Sequence, residues 1–278
     1  MPRKKRKKNQ ANGVPSWILA LGAILAISAL IGAFLWRNQT EKEMAMNKET
    51  LCPLAADGSS ASAPTAMTVI LFDLTDPISP AQRKQLTEYI EQELVEAPRG
   101  TQFTLGVVNE DSTTWGASAP LCKPFAGKDV MRRLDQNQKL VQKRYENQFL
   151  SPLRGMIREM LSAKPANHSP IMEALQSLLA STPGFLTFPG PRRLIVVSDL
   201  LQNSDVFNFY RGDDWQAFKA SPSFQRLGHN LKGADVKFFQ IPRSFNGINR
   251  PAMVRDFWVN YCEVQGCVHL KFIPLEDL

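Results

Sequence analysis

The sequence has little cysteine and little histidine, the side chains that most often bind zinc. Its 278 residues include four cysteines and three histidines. The cysteines lack the Cys-x-x-Cys pairs typical of structural zinc sites. The histidines are scattered, at positions 168, 229 and 269. The composition therefore argues against a zinc protein.

Net charge is also low once the first residues are set aside. The basic run Arg3–Lys8 supplies six of the formal net charge of +7, so the remainder is nearly neutral. A nucleic-acid-binding domain normally carries a basic patch of its own. Contact with anionic lipids explains a basic run that stands beside an apolar segment. We therefore expect no nucleic-acid partner.

Long apolar runs are missing except for one, which follows the basic tail. The segment from Trp17 to Trp36 contains no charged side chain, and Arg37 follows directly. Its length matches the roughly 20 residues of a transmembrane helix. A cleaved signal peptide is the alternative, but its apolar core usually spans only about 7–15 residues, and bulky side chains follow Ala33 where a cleavage site would need small ones. We therefore predict an uncleaved anchor that contacts the lipid bilayer.

The basic tail also predicts an orientation. Positive charges beside a membrane span stay in the cytoplasm. We expect a single-pass protein of the cytoplasmic (inner) membrane, with its N terminus inside and its C-terminal domain periplasmic or extracellular. The predicted organisation is a basic tail at 1–16, a transmembrane helix at 17–36, a flexible polar and Ala/Ser/Pro-rich linker at 37–66 and a folded domain at 67–278.

Strand-like and helix-like segments alternate through the predicted domain. Apolar, β-branched runs are separated by amphipathic segments: the runs lie near residues 68–72, 102–108, 192–198, 234–241 and 268–273. Such alternation is typical of an α/β domain with a doubly wound, mostly parallel sheet. About two hundred residues suffice to bury its core as one domain.

Two of the predicted strands end in aspartates. Asp73 ends the first strand and Asp199 ends the strand that starts at Arg192. Thr75 lies just after the first strand, and Ser169 lies at the start of an amphipathic helix. Ligands bind at the carboxyl edge of such sheets, and carboxylate and hydroxyl oxygens suit Mg²⁺ or Mn²⁺. These four side chains are therefore a candidate divalent-cation site.

This arrangement resembles a von Willebrand factor A domain with its metal-ion-dependent adhesion site. The family pattern is Asp-x-Ser/Thr-x-Ser on one loop, a Thr on a second loop and an Asp on a third. By resemblance, Asp73 and Thr75 match the first loop. Ser169 takes the place of the Thr, and Asp199 matches the last Asp.

The chain departs from the family pattern at one position. Pro77 occupies the place of the second Ser and has no side-chain ligand atom. Asp76 or Ser79 could substitute as accessory ligands. The alternative interpretation of Asp73 and Asp199 is that they only cap loops or helix N-termini.

The resemblance implies a binding function rather than catalysis. Domains of this family accept a partner's carboxylate at an open metal position. We therefore expect a membrane-anchored protein-interaction module, Mg²⁺-assisted, on the outer side of a bacterial cytoplasmic membrane and part of an envelope complex. One alternative is a metal-free structural scaffold. Another is a Mg²⁺-dependent phosphoryl hydrolase that uses Asp73, although the Asp-x-Asp start and Gly-rich loop of such enzymes are missing around this residue.

All four cysteines follow the apolar run, and an oxidising location would allow them to pair. Four cysteines permit three pairings. Cys262 and Cys267 flank a predicted turn, which favours a bond between them. Cys52 would then pair with Cys122.

Overall fold

The structure, a computed structural model, describes most of the chain in eight ranges. These are residues 16–43, 46–54, 64–108, 117–129, 137–162, 166–228, 231–243 and 251–276. The chain divides into two compact units, one before residue 46 and one from residue 46 onward. Each is described by itself.

The first unit contains a long apolar helix, α1 (Ser16–Glu43). Its segment Ile18–Leu35 has a mean hydropathy of 2.6, and its side chains are exposed. A helix rises about 1.5 Å per residue, and the hydrocarbon core of a bilayer is about 30 Å thick. The helix is therefore long and apolar enough to cross a membrane, and the predicted segment 17–36 lies within it.

A six-stranded sheet forms the centre of the second unit. Its strands are β1 (Ala66–Asp73), β2 (Thr101–Val108), β3 (Leu121–Cys122), β4 (Arg192–Ser198), β5 (Ala234–Gln240) and β6 (His269–Pro274). They lie in the order β3-β2-β1-β4-β5-β6, and all neighbours are parallel except β2 and β3. The prediction of a mostly parallel α/β sheet is confirmed.

The direction in which the chain crosses the sheet reverses beside β1. The chain passes from β1 outward to β2 and β3, then returns to place β4 on the other side of β1. Phe72 of β1 lies opposite Val197 of β4, so the two strands end at the same level. In doubly wound sheets, the crevice that receives a ligand opens at this switch point. Asp73 and Asp199 both lie there.

Helices pack on both faces of the sheet. They are α2 (Pro80–Glu96), α3 (Gln138–Tyr145), α4 (Ser151–Met160), α5 (Ile171–Ser181), α6 (Trp215–Ala220), α7 (Ser223–Leu227) and α8 (Pro251–Gln265). The start of α2 is a capping box: Ser79 Oγ accepts a hydrogen bond from the Gln82 N–H, and Gln82 Oε1 accepts one from the Ser79 N–H. This cap ends the loop that follows β1 and directs the chain into α2.

The side chains of β1 alternate between two apolar cores, and all eight residues of the strand are buried. Val69 and Leu71 belong to the core that contains Trp258 of α8. Ile70 and Phe72 belong to the core on the opposite face, together with the apolar side of α2. A strand buried on both faces is apolar throughout, which is why β1 reads as a continuous apolar run.

Residues 46–54, which precede β1 in the chain, are part of the folded unit. Leu51 and Cys52 are each 5% exposed, and the Cys122 N–H donates to the carbonyl of Thr50. The folded unit therefore includes residues 46–54, which the sequence analysis assigned to the linker.

Both predicted disulfides are present. Cys52 bonds to Cys122, which joins the segment before β1 to the edge strand β3. Cys262 bonds to Cys267 across the turn between α8 and β6.

Candidate functional site

Asp73 ends β1 and is 3% exposed. Its Oδ1 accepts a hydrogen bond from Thr75 Oγ1 at 3.0 Å. Its Oδ2 accepts bonds from Ser169 Oγ at 3.0 Å and from Ser198 Oγ at 2.6 Å. A carboxylate this deeply buried needs such donors because it has lost its hydration. Three hydroxyls from three separate segments therefore converge on one side chain.

A two-bond backbone bridge brings Ser169 to the site. The Ser169 N–H donates to the Asn203 carbonyl and the Asn203 N–H to the Ser169 carbonyl, both at 2.9 Å. Ser169 lies just before α5, and Asn203 lies in the loop that follows β4. The bridge ties these two loops together, and Ser169 Oγ donates to Asp73 Oδ2.

Asp199 follows β4 in a turn with an unusual backbone. Its Oδ1 accepts a hydrogen bond from the Leu201 N–H at 2.9 Å. Leu200 has a φ of 68°, in the left-handed region that side chains other than glycine seldom adopt. The Leu200 N–H donates to Ser198 Oγ at 2.7 Å, and its carbonyl accepts from Trp258 Nε1 at 2.9 Å. The surrounding contacts hold a strained turn, a feature common at functional sites.

Burial raises the pKa of both aspartates. At Asp73, burial outweighs the opposing effect of the hydrogen bonds from Ser198, Ser169 and Thr75. At Asp199, burial and then the negative charge of Asp73 raise the pKa to about 7, and the Leu201 N–H opposes this shift. Two buried carboxylates that repel each other are short of positive charge. A cation beside them would stabilise their charged forms.

A cleft of about 380 Å³ opens at these loops. Its lining is mostly polar and comes from the loops after β1, before α5 and after β4: Thr75, Asp76, Asn167, His168, Ser169, Asp199, Asn203 and Tyr210. Asp73 lies behind this lining, bonded to Thr75 and Ser169. Three of the four predicted ligands thus line one cleft, and the fourth, Asp73, accepts hydrogen bonds from two of them.

The accessory candidates differ from each other. Asp76 is exposed and lines the cleft. Ser79 Oγ instead accepts the bond that caps α2, so this oxygen is used in the helix cap. Pro77 contributes its carbonyl oxygen, which accepts a hydrogen bond from the Arg243 guanidinium.

The sequence analysis missed two residues of this site. Ser198 Oγ donates the shortest of the three hydroxyl hydrogen bonds to Asp73, at 2.6 Å from Oδ2. Its signal was its place as the last residue of β4, directly before Asp199. Arg243 follows β5, and its Nε lies 3.9 Å from Asp199 Oδ2. The sequence signal for Arg243 was a basic residue shortly after the carboxyl end of β5, the strand beside β4.

The donor set fits a divalent cation by its chemistry. In the described ranges, no three or more His, Cys, Asp or Glu side chains gather in a metal-binding group. A cation here would therefore need the hydroxyls of Thr75 and Ser169 as well as the two carboxylates. Hydroxyl, carboxylate and water oxygens are the ligands that Mg²⁺ takes when it retains part of its hydration shell.

Comparisons with known proteins give structural similarity at low sequence identity. No family model and no curated protein sequence matches the chain. The SpRpn10 VWA domain is 11% identical with a TM-score of 0.37, covering 77% of this chain and 90% of that one. An aerotolerance-related membrane protein from Bacteroides fragilis is 11% identical with a TM-score of 0.34, covering 76% and 92%.

The match to a third structure covers less than half of that structure's chain. The von Willebrand factor type A protein from Catenulispora acidiphila is 12% identical with a TM-score of 0.37, covering 78% of this chain but only 40% of that one. Solved structures similar to this chain thus include von Willebrand factor A domains, the family whose resemblance the sequence indicated.

Proposed function

We propose that this chain is a membrane-anchored protein-interaction module that captures an acidic group of a partner through a divalent cation, Mg²⁺ or Mn²⁺, in the cleft. One observation carries the proposal. Two buried carboxylates, Asp73 and Asp199, lie at the switch point of the sheet with the hydroxyls of Thr75 and Ser169, beside an open cleft.

The anchor of the proposed module is α1. Its apolar segment Ile18–Leu35 is long enough to cross a bilayer, and the basic run Arg3–Lys8 precedes it. Positive charges favour the cytoplasmic side, so the folded unit lies outside the cytoplasmic membrane in this proposal. The partner is then a protein of the bacterial envelope, and the chain is part of an envelope complex.

The residues of the site have the following roles in this proposal. Asp73, Thr75, Ser169 and Asp199 hold the cation directly or through water. The bound cation supplies positive charge and an open position for a partner carboxylate. Asp73 orients the hydroxyls of Thr75 and Ser169 through its hydrogen bonds. Tyr210, 45% exposed at the cleft wall, offers the kind of aromatic contact that is enriched in protein interfaces.

Binding is favoured over phosphoryl transfer by the state of Asp73. A nucleophilic carboxylate must present an oxygen to its substrate. Both oxygens of Asp73 accept hydrogen bonds from hydroxyls, and the residue is 3% exposed. This placement suits a positioning residue better than a nucleophile.

The first experiment titrates Mg²⁺ and Mn²⁺ into the full chain in lipid nanodiscs by calorimetry. We expect saturable binding that is lost in Asp73→Asn and in Asp199→Asn, because each change removes one of two buried charges. Asp205→Asn is the matched control, since Asp205 is an exposed acid in the same loop after β4. Circular dichroism checks that each variant is folded.

The second experiment tests the partner. Crosslinking in intact cells should give adducts with an envelope protein that are lost in Asp199→Asn, and EDTA should abolish capture in purified membranes. Absence of cation binding by the unaltered chain would contradict the cation-assisted mode. Capture that is unchanged in Asp199→Asn would instead favour the metal-free scaffold.

A further inference from the structure

Arg243 contacts the loops that follow β1 and β4. It follows β5, and its guanidinium donates to the carbonyl of Pro77 in the loop after β1. Its Nε lies 3.9 Å from Oδ2 of Asp199 in the loop after β4. Its side chain is 24% exposed, so part of it remains accessible to solvent. The contact with Pro77 falls at the position where the resembled pattern has a Ser ligand.

The charge of Arg243 is placed where the site needs it. Asp199 is 7% exposed and adjoins the buried Asp73. Among the described residues, Arg243 forms the ion pair recorded for these two acids. Arg243 Nε is buried and has no hydrogen-bond partner in the described part of the chain. A buried N–H without a partner costs free energy, so the charge of Asp199 and the hydrogen bond to Pro77 together favour the position of Arg243.

We propose that Arg243 is the resident cation of this site. In the metal-free protein it balances Asp199 and holds the Pro77 loop, and it is released toward solvent when a divalent cation binds. The release step rests on the cation site of the proposed function; the balancing role does not.

The physical reason for the release is repulsion. A partly buried charge pair is screened less than an exposed pair, so solvent weakens the attraction between Arg243 and Asp199, 3.9 Å apart, less than it would at the surface. A divalent cation bound to Asp199 would carry two positive charges into the same space as the guanidinium. Because coupling between two sites is reciprocal, removal of Arg243 strengthens cation binding.

The first test is a double-mutant cycle in EDTA at pH 8 with the full chain in nanodiscs, using Arg243→Gln and Asp199→Asn. Arg243→Gln is expected to lower the Tm by about 2–4 °C, the usual scale for a domain of this size. In the Asp199→Asn background the same change should have less than about a quarter of that effect, since contacting residues are not additive. Additive effects would overturn the proposal.

Two further variants serve as controls. Arg243→Lys keeps the charge and should lower the Tm less than Arg243→Gln. Arg226→Gln removes an exposed arginine of α7 and should leave the Tm nearly unchanged. If Arg243→Lys and Arg243→Gln are equally destabilised, the charge of Arg243 is not what matters, and the proposal is wrong.

The second test measures Mg²⁺ affinity by calorimetry. Arg243→Gln should bind Mg²⁺ about tenfold more tightly than the unaltered chain or more, and Mg²⁺ should restore its Tm. Equal or weaker binding by Arg243→Gln would overturn the release step. If no variant binds Mg²⁺ but the cycle shows coupling, the cation site of the proposed function fails while the balancing role of Arg243 stands.

Discussion

Ser198 donates a hydrogen bond from its Oγ to Oδ2 of Asp73 at 2.6 Å, across the neighbouring strands β4 and β1. Ser198 Oγ also accepts a hydrogen bond from the Leu200 N–H at 2.7 Å. One hydroxyl therefore connects the first acid of the site to the strained turn that carries the second. The two acids are positioned by a shared residue rather than independently.

We predict that Ser198→Ala destabilises the protein by about 1–3 kcal/mol, because it removes one of the two hydroxyl donors to Asp73 Oδ2 and the acceptor of the buried Leu200 N–H. Urea unfolding of the full chain in nanodiscs measures the change. Ser162→Ala is the control, since Ser162 is exposed and its hydroxyl donates to the Arg158 carbonyl of its own helix turn. A loss no larger than that of the control would show that the hydroxyl does not organise the site.

The stability of the metal-free protein should fall as pH rises from about 4 to about 7. Burial and Asp73 raise the pKa of Asp199 to about 7 in the folded state, whereas an unfolded aspartate has a pKa of about 3.9. Between these values the folded state holds a proton that the unfolded state has released, so rising pH favours unfolding. The raised pKa of Asp73 acts in the same direction.

Urea midpoints in EDTA between pH 4 and pH 8 test this dependence. Asp199→Asn should have a clearly smaller slope because its amide does not titrate, and Asp205→Asn should retain the full slope. A slope that is the same in Asp199→Asn as in the unaltered chain would contradict the assignment to this site.

The two disulfides should contribute unequally to stability. Cys52 and Cys122 are 70 residues apart, whereas Cys262 and Cys267 are 5 apart. A longer closed loop restricts the unfolded chain more, so we expect losses of about 4 kcal/mol for the first bond and about 2 kcal/mol for the second when each pair is replaced by serine. Urea unfolding of the two double-serine variants checks the order. Equal losses would contradict it.

The proposed orientation can be tested in intact cells. Gln225→Cys places a thiol on an exposed position of α7, and the four native cysteines are already bonded. This thiol should react with a membrane-impermeant maleimide from outside the cytoplasmic membrane. A cysteine placed in the basic tail should react only after the membrane is permeabilised. The reverse pattern would contradict an exported domain.

Local patterns in the sequence predicted much of the architecture. The charge-free run that became α1 and the alternation of strands and helices depend on side chains close together in the chain. The disulfide between Cys262 and Cys267 also follows from local spacing, because the two residues flank one turn.

The position of residues 46–54 could not be predicted in this way. Their polar residues match a linker, although the predicted bond between Cys52 and Cys122 already implied a tie to the folded domain. The burial of Leu51 shows that the segment packs on the folded unit. Strand order depends on how the helices cross the sheet, so local patterns did not show that β1 and β4 are neighbours. The predicted site requires that they are.

The sequence by itself determined that two acids would end buried strands and that hydroxyls would lie near them, because strand ends are marked by where apolar runs stop. The tertiary structure alone decided what these acids contact. Arg243 reaches the Pro77 carbonyl across 166 residues of sequence, and Ser198 reaches Asp73 across 125. Such contacts depend on strand order, register and the left-handed turn at Leu200, and no local pattern of residues encodes them.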